Sequence, residues 1–170
     1  MILATLMLSA AIAAAPPAFD VDYDRFTDTT NIFSSDSLPG RKGDTYFVLA
    51  ALYRGSKYTP PSSVAYRIQV WAYRDNWNYL RCHSLAILAD GKPLQLPRST
   101  VEGDIISGNS VSEYISVLAS REDIAAIANA RKVEIQVCRD EWLLPTSVSK
   151  KAQAIVDATA DTSGPVAPPR

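Results

Sequence analysis

A strict alternation of apolar and polar side chains is the feature that most constrains the fold of this chain. It is clearest in VAYRIQVWAY, residues 64–73, where every second residue from Val64 to Ala72 is apolar or aromatic. A period of two residues is that of a β-strand with one face against a core. Strands of parallel, doubly wound sheets are instead apolar on both faces. The pattern therefore predicts antiparallel sheet.

Other segments are predicted as strands or loops from the same pattern and from their composition. Further strands are expected at residues 19–26, as an edge strand, at 45–53, as a central strand apolar on both faces, and at 111–119 and 132–138. The rest of residues 16–43 and residues 98–110 are rich in small polar residues and glycine, which favour loops. We therefore expect these two segments to connect strands.

Residues 79–89 are predicted to form the strand that returns from residues 64–73. A register that pairs apolar with apolar side chains sets Val70 opposite Cys82, Trp71 opposite Arg81 and Tyr73 opposite Tyr79. After this strand, Asp90-Gly91 supplies two residues that accept positive φ, which predicts a tight hairpin into residues 92–96.

Two helices are predicted. Ser120 can cap a helix over residues 120–130 while Asp123 reaches back to it, and residues 148–159 place apolar side chains at helical spacing. Strands with one short inserted helix and one C-terminal helix indicate an α+β class, mainly β, with antiparallel sheets in a sandwich-like arrangement.

The two ends of the chain differ in composition from the segment between them. Residues 1–15, MILATLMLSAAIAAA, have the apolar run and small residues of a signal peptide, although they lack its usual basic start. A buried N-terminal helix is the alternative. Residues 16–159 are expected to form a single β-rich domain and residues 160–170 a disordered tail. The protein is thus predicted to be exported, periplasmic or secreted.

Charge and cysteine content argue against several classes of partner. Seventeen basic and eighteen acidic residues give a net charge of −1, so nucleic-acid binding is not expected. The apolar run at the start is shorter than the roughly 20 residues that span a bilayer, so membrane insertion is not expected either. Cys82 lies beside His83, the only histidine, but neighbours on a strand point to opposite faces. We therefore predict no metal site, no catalytic residues and no cofactor, and a protein that is not an enzyme.

An aromatic face is the best candidate for binding. The predicted register places seven side chains on the face of the hairpin away from the core: Arg67, Gln69, Trp71, Tyr73, Tyr79, Arg81 and His83. Aromatic and arginine side chains are typical of binding surfaces. The alternative is that a helix or a second sheet covers this face. The function expected is binding of a protein or glycan in the cell envelope, and the alternative is a carboxylate-dependent extracytoplasmic hydrolase.

The two cysteines are predicted to stay reduced. The register turns Cys82 into the core, whereas the alternation of residues 133–137 turns Cys138 to the opposite face. A disulfide needs Cα atoms about 4.4–6.8 Å apart, which such a placement does not allow. A bridge would form only if Cys138 lay beyond the end of its strand.

YLRCHSLAILADGKPL, followed by residues 102–138, resembles a group of small, uncharacterised exported bacterial proteins of unknown function. The shared features are a strand with a Cys-His-Ser step, an Asp-Gly hairpin and a helix followed by Lys-Val-Glu. The resemblance covers residues 20–158 and implies a fold but no activity or catalytic residue. In that group the position of Cys138 is not usually a cysteine, so the resemblance does not imply a shared disulfide.

Overall fold

The computed structural model describes residues 18–39, 44–56, 63–107 and 110–160. The predicted signal peptide, and the predicted tail beyond its first residue, lie outside these ranges. The elements in the described part are β1 (Asp20–Asp24), β2 (Thr29–Leu38), β3 (Thr45–Arg54), β4 (Ala65–Arg74), β5 (Leu85–Ala89), β6 (Lys92–Pro93), β7 (Thr100–Ser107), β8 (Ser110–Ala119), α1 (Arg121–Asn129), β9 (Val133–Val137), β10 (Asp140–Leu143) and α2 (Ser147–Ala158).

The strands form two antiparallel sheets. Sheet A has the order β1-β2-β3-β4-β8-β7, and sheet B has the order β10-β9-β5-β6. The fold is therefore mainly β with two helices, which confirms the predicted fold class. The central position of β3 and the edge position of β1 are confirmed as well.

One core fills the space between the inner face of sheet A, sheet B and the two helices. Ile68, Val70 and Ala72 of β4 are fully buried on the inner face of sheet A. They belong to the same cluster of buried side chains as Ile135 of β9 and Ile155 of α2. The side of β4 that the alternation predicted to be apolar is thus the side that faces the core.

Two segments that were predicted as loops are strands. β2 faces the core with small polar side chains as well as apolar ones, since Thr30 and Ser34 are buried beside Ile32. The Thr30 hydroxyl donates to the carbonyl of Gly55 at 2.5 Å, so its burial leaves no hydroxyl unsatisfied. β7 is the outer strand beyond β8. Its polar composition suits an edge, where one side of the strand stays in water.

The predicted hairpin between residues 64–73 and 79–89 is wrong. β4 pairs with β3 and β8, and of the second segment only β5 is a strand, which belongs to sheet B. Trp71 therefore lies opposite Tyr46 and Tyr114 and not opposite Arg81. β3 and β8 are each ten residues long, and their apolar positions match those of β4. The five-residue β5 is too short for such a match.

Local signals for the helices and for the tight turn are confirmed. The hydroxyl of Ser120 accepts from the backbone N–H of Asp123 at 3.1 Å, and the Asp123 carboxylate accepts from the backbone N–H of Ser120 at 2.9 Å. Asp90 and Gly91 have φ of 49° and 76° in the hairpin between β5 and β6. The carboxylate of Asp90 also accepts from the backbone N–H groups of Arg131 and Lys132, which ties this turn to the start of β9.

Candidate functional site

Four aromatic side chains form a patch on the outer face of sheet A, and we call Tyr46, Trp71, Tyr73 and Tyr114 the aromatic patch. Tyr46, Trp71 and Tyr114 are direct neighbours on β3, β4 and β8, so they form one row across the centre of the sheet. Tyr73 is the next residue along β4 on the same face. Three adjacent central strands therefore hold the patch, and such strands position side chains rigidly.

The rings of the aromatic patch contact one another edge to face or at a tilt. The centroids of Tyr46 and Tyr73 are 6.3 Å apart with an interplanar angle of 77°, and those of Trp71 and Tyr114 are 6.4 Å apart at 49°. The edge-to-face geometry of Tyr46 and Tyr73 is one that aromatic pairs prefer, and both centroid distances lie in the usual range for ring contacts. Trp71 and Tyr73 keep 38% and 36% of their surface exposed. The patch thus combines fixed rings with accessible ring faces.

An open groove of 310 Å³ extends the aromatic patch toward β2. It is lined by Phe33, Ser35, Tyr46, Val48, Trp71 and Tyr73. Sheet B and the two helices share the core on the opposite, inner face of sheet A. Within the described residues, the groove and the patch therefore face outward.

The structure brings together four of the seven predicted binding residues. Arg67, Gln69, Trp71 and Tyr73 lie on the outer face of β4, as their alternation predicted, but Gln69 is buried there with 9% of its surface exposed. Arg81 and His83 are exposed but lie in the loop between β4 and β5, so they do not join this face. Tyr79 is buried, with 1% of its surface exposed. The predicted place of Tyr79, Arg81 and His83 on this face depended on the hairpin register that the structure contradicts.

Sequence reasoning missed Tyr46 and Tyr114. Both occupy outer-face positions of their strands, between residues whose side chains are buried. On β8 the available signal was an aromatic residue between Ser112 and Ser116 on the same face, whereas β3 is apolar on both faces and gave no such signal. The meaning of the signal on β8 depended on knowing that β3 and β8 flank β4.

Acidic residues lie at two places beside the aromatic patch, and we call Asp44, Glu102 and Asp104 the acidic rim. Glu102 and Asp104 of β7 lie opposite Tyr114 and Ser112 of β8, respectively. The Tyr114 hydroxyl donates to the Glu102 carboxylate. Asp44 precedes β3, and its carbonyl accepts from the backbone N–H of Tyr73 at 2.9 Å. The hydrogen bond to Glu102, with partial burial and the negative charges of Glu102 and Asp104, raises the pKa of Tyr114 above its ordinary value.

A buried carboxylate holds the loop between β4 and β5 against the end of sheet A. Glu113 of β8 is fully buried. Its two oxygens accept from the backbone N–H groups of Asn78 at 2.8 Å and of Tyr79 and Leu80 at 2.9 Å. Three hydrogen bonds to one carboxylate compensate for the burial of its charge.

The side chain of Tyr79 continues this anchoring toward sheet B. Its hydroxyl donates to the Asp140 carboxylate at 2.7 Å and accepts from Arg74 at 3.0 Å. Burial and the hydrogen bond to Asp140 raise the pKa of Tyr79 well above its ordinary value. Tyr79 is therefore a neutral structural residue that links the two sheets, not a binding residue.

The prediction of two reduced thiols is wrong, because Cys82 and Cys138 form a disulfide with a Cα separation of 5.9 Å. Cys82 lies in the loop after β4 and not on a strand, so alternation does not turn it into the core. Cys138 follows the last residue of β9 and has φ of 59°. Its backbone N–H donates to the carbonyl of Ser84 at 3.0 Å, which brings it beside the loop that carries Cys82.

Two carboxylates line a second groove, which lies on the outer face of sheet B. This groove of 320 Å³ includes Glu134 and Glu141. Glu134 is ion-paired with Lys132 at 2.9 Å, and Glu141 accepts from the side-chain amide of Gln136 at 2.6 Å. Both carboxylates thus have partners on the sheet surface. No cluster of three or more His, Cys, Asp or Glu side chains suited to a metal ion occurs in the described part of the chain.

No family model, curated protein or solved structure matches the chain. The resemblance to small exported bacterial proteins therefore stays a prediction. Among the described helices, none has the length and apolar character needed to cross a membrane.

Proposed function

We propose that this protein is exported and binds a protein or glycan of the cell envelope through the outer face of sheet A. The observation that carries the proposal is the row of Tyr46, Trp71 and Tyr114, held by three central strands with ring surface left exposed. Exposed aromatic residues on a rigid scaffold offer a large contact area at a small entropic cost.

The proposed location rests on the signal-like start of the chain, and the disulfide supports it. Disulfide bonds form and persist in oxidising compartments such as the periplasm and the extracellular space. Cys82 and Cys138 are bridged in this fold. Mass spectrometry of the exported protein is expected to find a chain that begins between residues 14 and 17. A retained Met1 would contradict export by this route.

The binding surface is tested by comparing three immobilised forms of the protein: wild type, Trp71→Ala and Leu143→Ala. Leu143 is 61% exposed on sheet B and serves as the matched control. An envelope component that binds the outer face of sheet A is expected to be retained by wild type and by Leu143→Ala, but not by Trp71→Ala. Thermal denaturation of all three checks that each is folded. Equal retention by the three forms would refute the proposal.

The second candidate is a carboxylate-dependent hydrolase, and the observation in its favour is that Glu134 and Glu141 line one groove. They occupy diagonal positions on β9 and β10, since Glu134 lies opposite Leu143 and Gln136 opposite Glu141. Diagonal neighbours on one face of a sheet have backbone positions about 7–8 Å apart, so the two side chains share the same part of the groove. Hydrolysis of an envelope glycan that Glu134→Gln abolishes would favour this candidate over the binding function.

A further inference from the structure

We infer that the occupant of the outer face of sheet A is a basic, extended segment of a protein partner. This inference rests on the proposed function and names the chemistry of the ligand. It is carried by the coincidence of two features on one face, the exposed aromatic patch and the acidic rim beside it.

Charge on this face is strongly one-sided. In the described strands and the residue before β3, carboxylates at the outer positions exceed guanidinium groups. The carboxylates are Asp20, Asp22 and Asp24 of β1, Asp44, and Glu102 and Asp104 of β7, whereas the guanidinium groups are Arg54 and Arg67. The chain as a whole is nearly balanced, with a net charge of −1. Among the described residues, negative charge is therefore in excess on this face, and it favours a cationic ligand.

The aromatic patch offers a second interaction that selects for cations. A lysine or arginine head group is attracted to the face of an aromatic ring within about 6 Å of its centroid, most strongly to tryptophan. Trp71 and Tyr114 have centroids 6.4 Å apart and an interplanar angle of 49°, and Trp71 keeps 38% of its surface exposed, so a cation can reach its ring. The hydroxyl of Tyr114 is held by Glu102, which places a carboxylate beside that ring. A cation above the row meets both a ring face and a negative charge.

The groove beside the aromatic patch fits the apolar part of such a segment. Phe33 and Val48 contribute to its lining on the β2 side of the row, and the acidic rim lies at the β7 end and beside Tyr73. Adjacent strands are about 4.8 Å apart, so the path from β2 to β7 measures about 19 Å, or roughly six residues of extended chain. Lysine stems also pack along apolar surface while the ammonium group reaches a charge.

A neutral glycan would use the rings and donate hydroxyl hydrogen bonds to the acidic rim, but it would gain no charge–charge attraction from it. An acidic glycan or peptide would be repelled by it, since like charges at an interface oppose binding. The charge of this face therefore favours binding of a basic peptide over binding of a neutral or acidic ligand.

Calorimetric titration of the purified protein with hexalysine tests the inference, with hexaglutamate and a neutral hexasaccharide as comparison probes. We expect hexalysine to bind at low ionic strength with a Kd below about 1 mM, to weaken as salt is added, and hexaglutamate not to bind. Trp71→Ala is expected to weaken hexalysine binding about tenfold, and Trp71→Phe is expected to retain most of it because the ring face is kept.

Matched charge variants separate the acidic rim from the charge of the whole protein. Glu102→Gln with Asp104→Asn and Glu134→Gln with Glu141→Gln each remove two negative charges, the first pair from the rim and the second from sheet B. The first pair is expected to weaken hexalysine binding about tenfold, and the second pair to change it less than twofold.

Three outcomes would overturn the inference: no binding of hexalysine by the wild type, equal binding by Trp71→Ala and wild type, or an equal loss in the two charge pairs. If the neutral hexasaccharide binds, hexalysine does not, and Trp71→Ala removes the binding of the hexasaccharide, the proposed binding face stands while the basic partner is refuted. If no probe and no envelope component depends on Trp71, both the inference and the proposed function fail.

Discussion

Replacing Glu113 with glutamine is expected to destabilise the fold, because this fully buried carboxylate accepts three backbone hydrogen bonds from the loop between β4 and β5. One oxygen accepts from the N–H groups of Tyr79 and Leu80, and the other accepts from Asn78. The glutamine side chain has only one oxygen. Its NH₂ group must therefore face at least one backbone N–H, donor against donor.

The expected loss in the free energy of unfolding is about 2–3 kcal/mol. The less costly orientation of the glutamine keeps the bonds to Tyr79 and Leu80 and loses the one to Asn78. A lost hydrogen bond to a charged group costs about 1.5–3 kcal/mol, and the two that remain weaken because the acceptor becomes neutral. Removing the buried charge offsets part of this loss.

Urea denaturation followed by fluorescence measures the change, with Glu122→Gln as the control. Glu122 is exposed in the first turn of α1, and its replacement is expected to cost less than about 0.5 kcal/mol. Amide hydrogen exchange at residues 78–80 should accelerate in Glu113→Gln and not in the control. If Glu113→Gln is as stable as Glu122→Gln, the carboxylate does not anchor the loop and the reasoning is refuted.

Three further predictions follow from the described contacts. Gly103→Ala places a Cβ in steric conflict with the Trp77 ring and 3.1 Å from the backbone oxygen of Ser112, so thermal denaturation should show a loss of about 1–3 kcal/mol in the free energy of unfolding; an unchanged midpoint would contradict that contact. The disulfide closes a separation of 56 residues, so its removal by Cys82→Ser with Cys138→Ser should lower the free energy of unfolding by about 4 kcal/mol; labelling of either thiol in the native, unreduced protein would instead favour the reduced state. Hydrogen bonds from the backbone N–H groups of Lys132 and Arg131 lower the pKa of Asp90. The ionised Asp90 carboxylate therefore stabilises the fold above the ordinary carboxyl pKa of about 3.9, and this stabilisation is lost as the pH falls through the lower pKa of the folded protein. Asp90→Asn should flatten the acid limb of a plot of stability against pH, and an unchanged acid limb would contradict the prediction.

Features encoded by a few neighbouring residues could be predicted from the sequence. The capping box of Ser120 and Asp123 and the positive φ of Asp90 depend on contacts within one turn. The alternation of β4 shows directly which side chains face the core. These signals require no knowledge of the rest of the fold.

Features that depend on distant strands could not be predicted in this way. β2 was missed because Thr30 and Ser34 occupy core positions, where they satisfy the geometry of the strand without an apolar signal. The pairing of β4 was missed because a hairpin with the next segment is the default for adjacent strands. The structure pairs β4 instead with β8, whose residues are more than forty positions away along the chain for most partners.

The candidate site shows the same division. Alternation placed Arg67, Gln69, Trp71 and Tyr73 correctly on one face of β4. Tyr46 and Tyr114 join them only through the order of strands in sheet A, and Tyr79 leaves them because Glu113 holds its backbone at the end of the sheet. A binding surface that spans several strands is therefore partly hidden until the sheet order is known.

The position of the disulfide has a mechanical consequence. Cys82 follows β4 of sheet A and Cys138 follows β9 of sheet B, so a force applied to the two ends of the domain passes through the bridge. The segment from β5 to β9, including α1, lies outside that path. A chain stretched to its limit under oxidising conditions would be shorter by about 190 Å, since each of the 56 residue steps spans about 3.4 Å when extended. Reduction of the bridge would add that length, so the reduced domain is expected to extend further under tension than the oxidised domain.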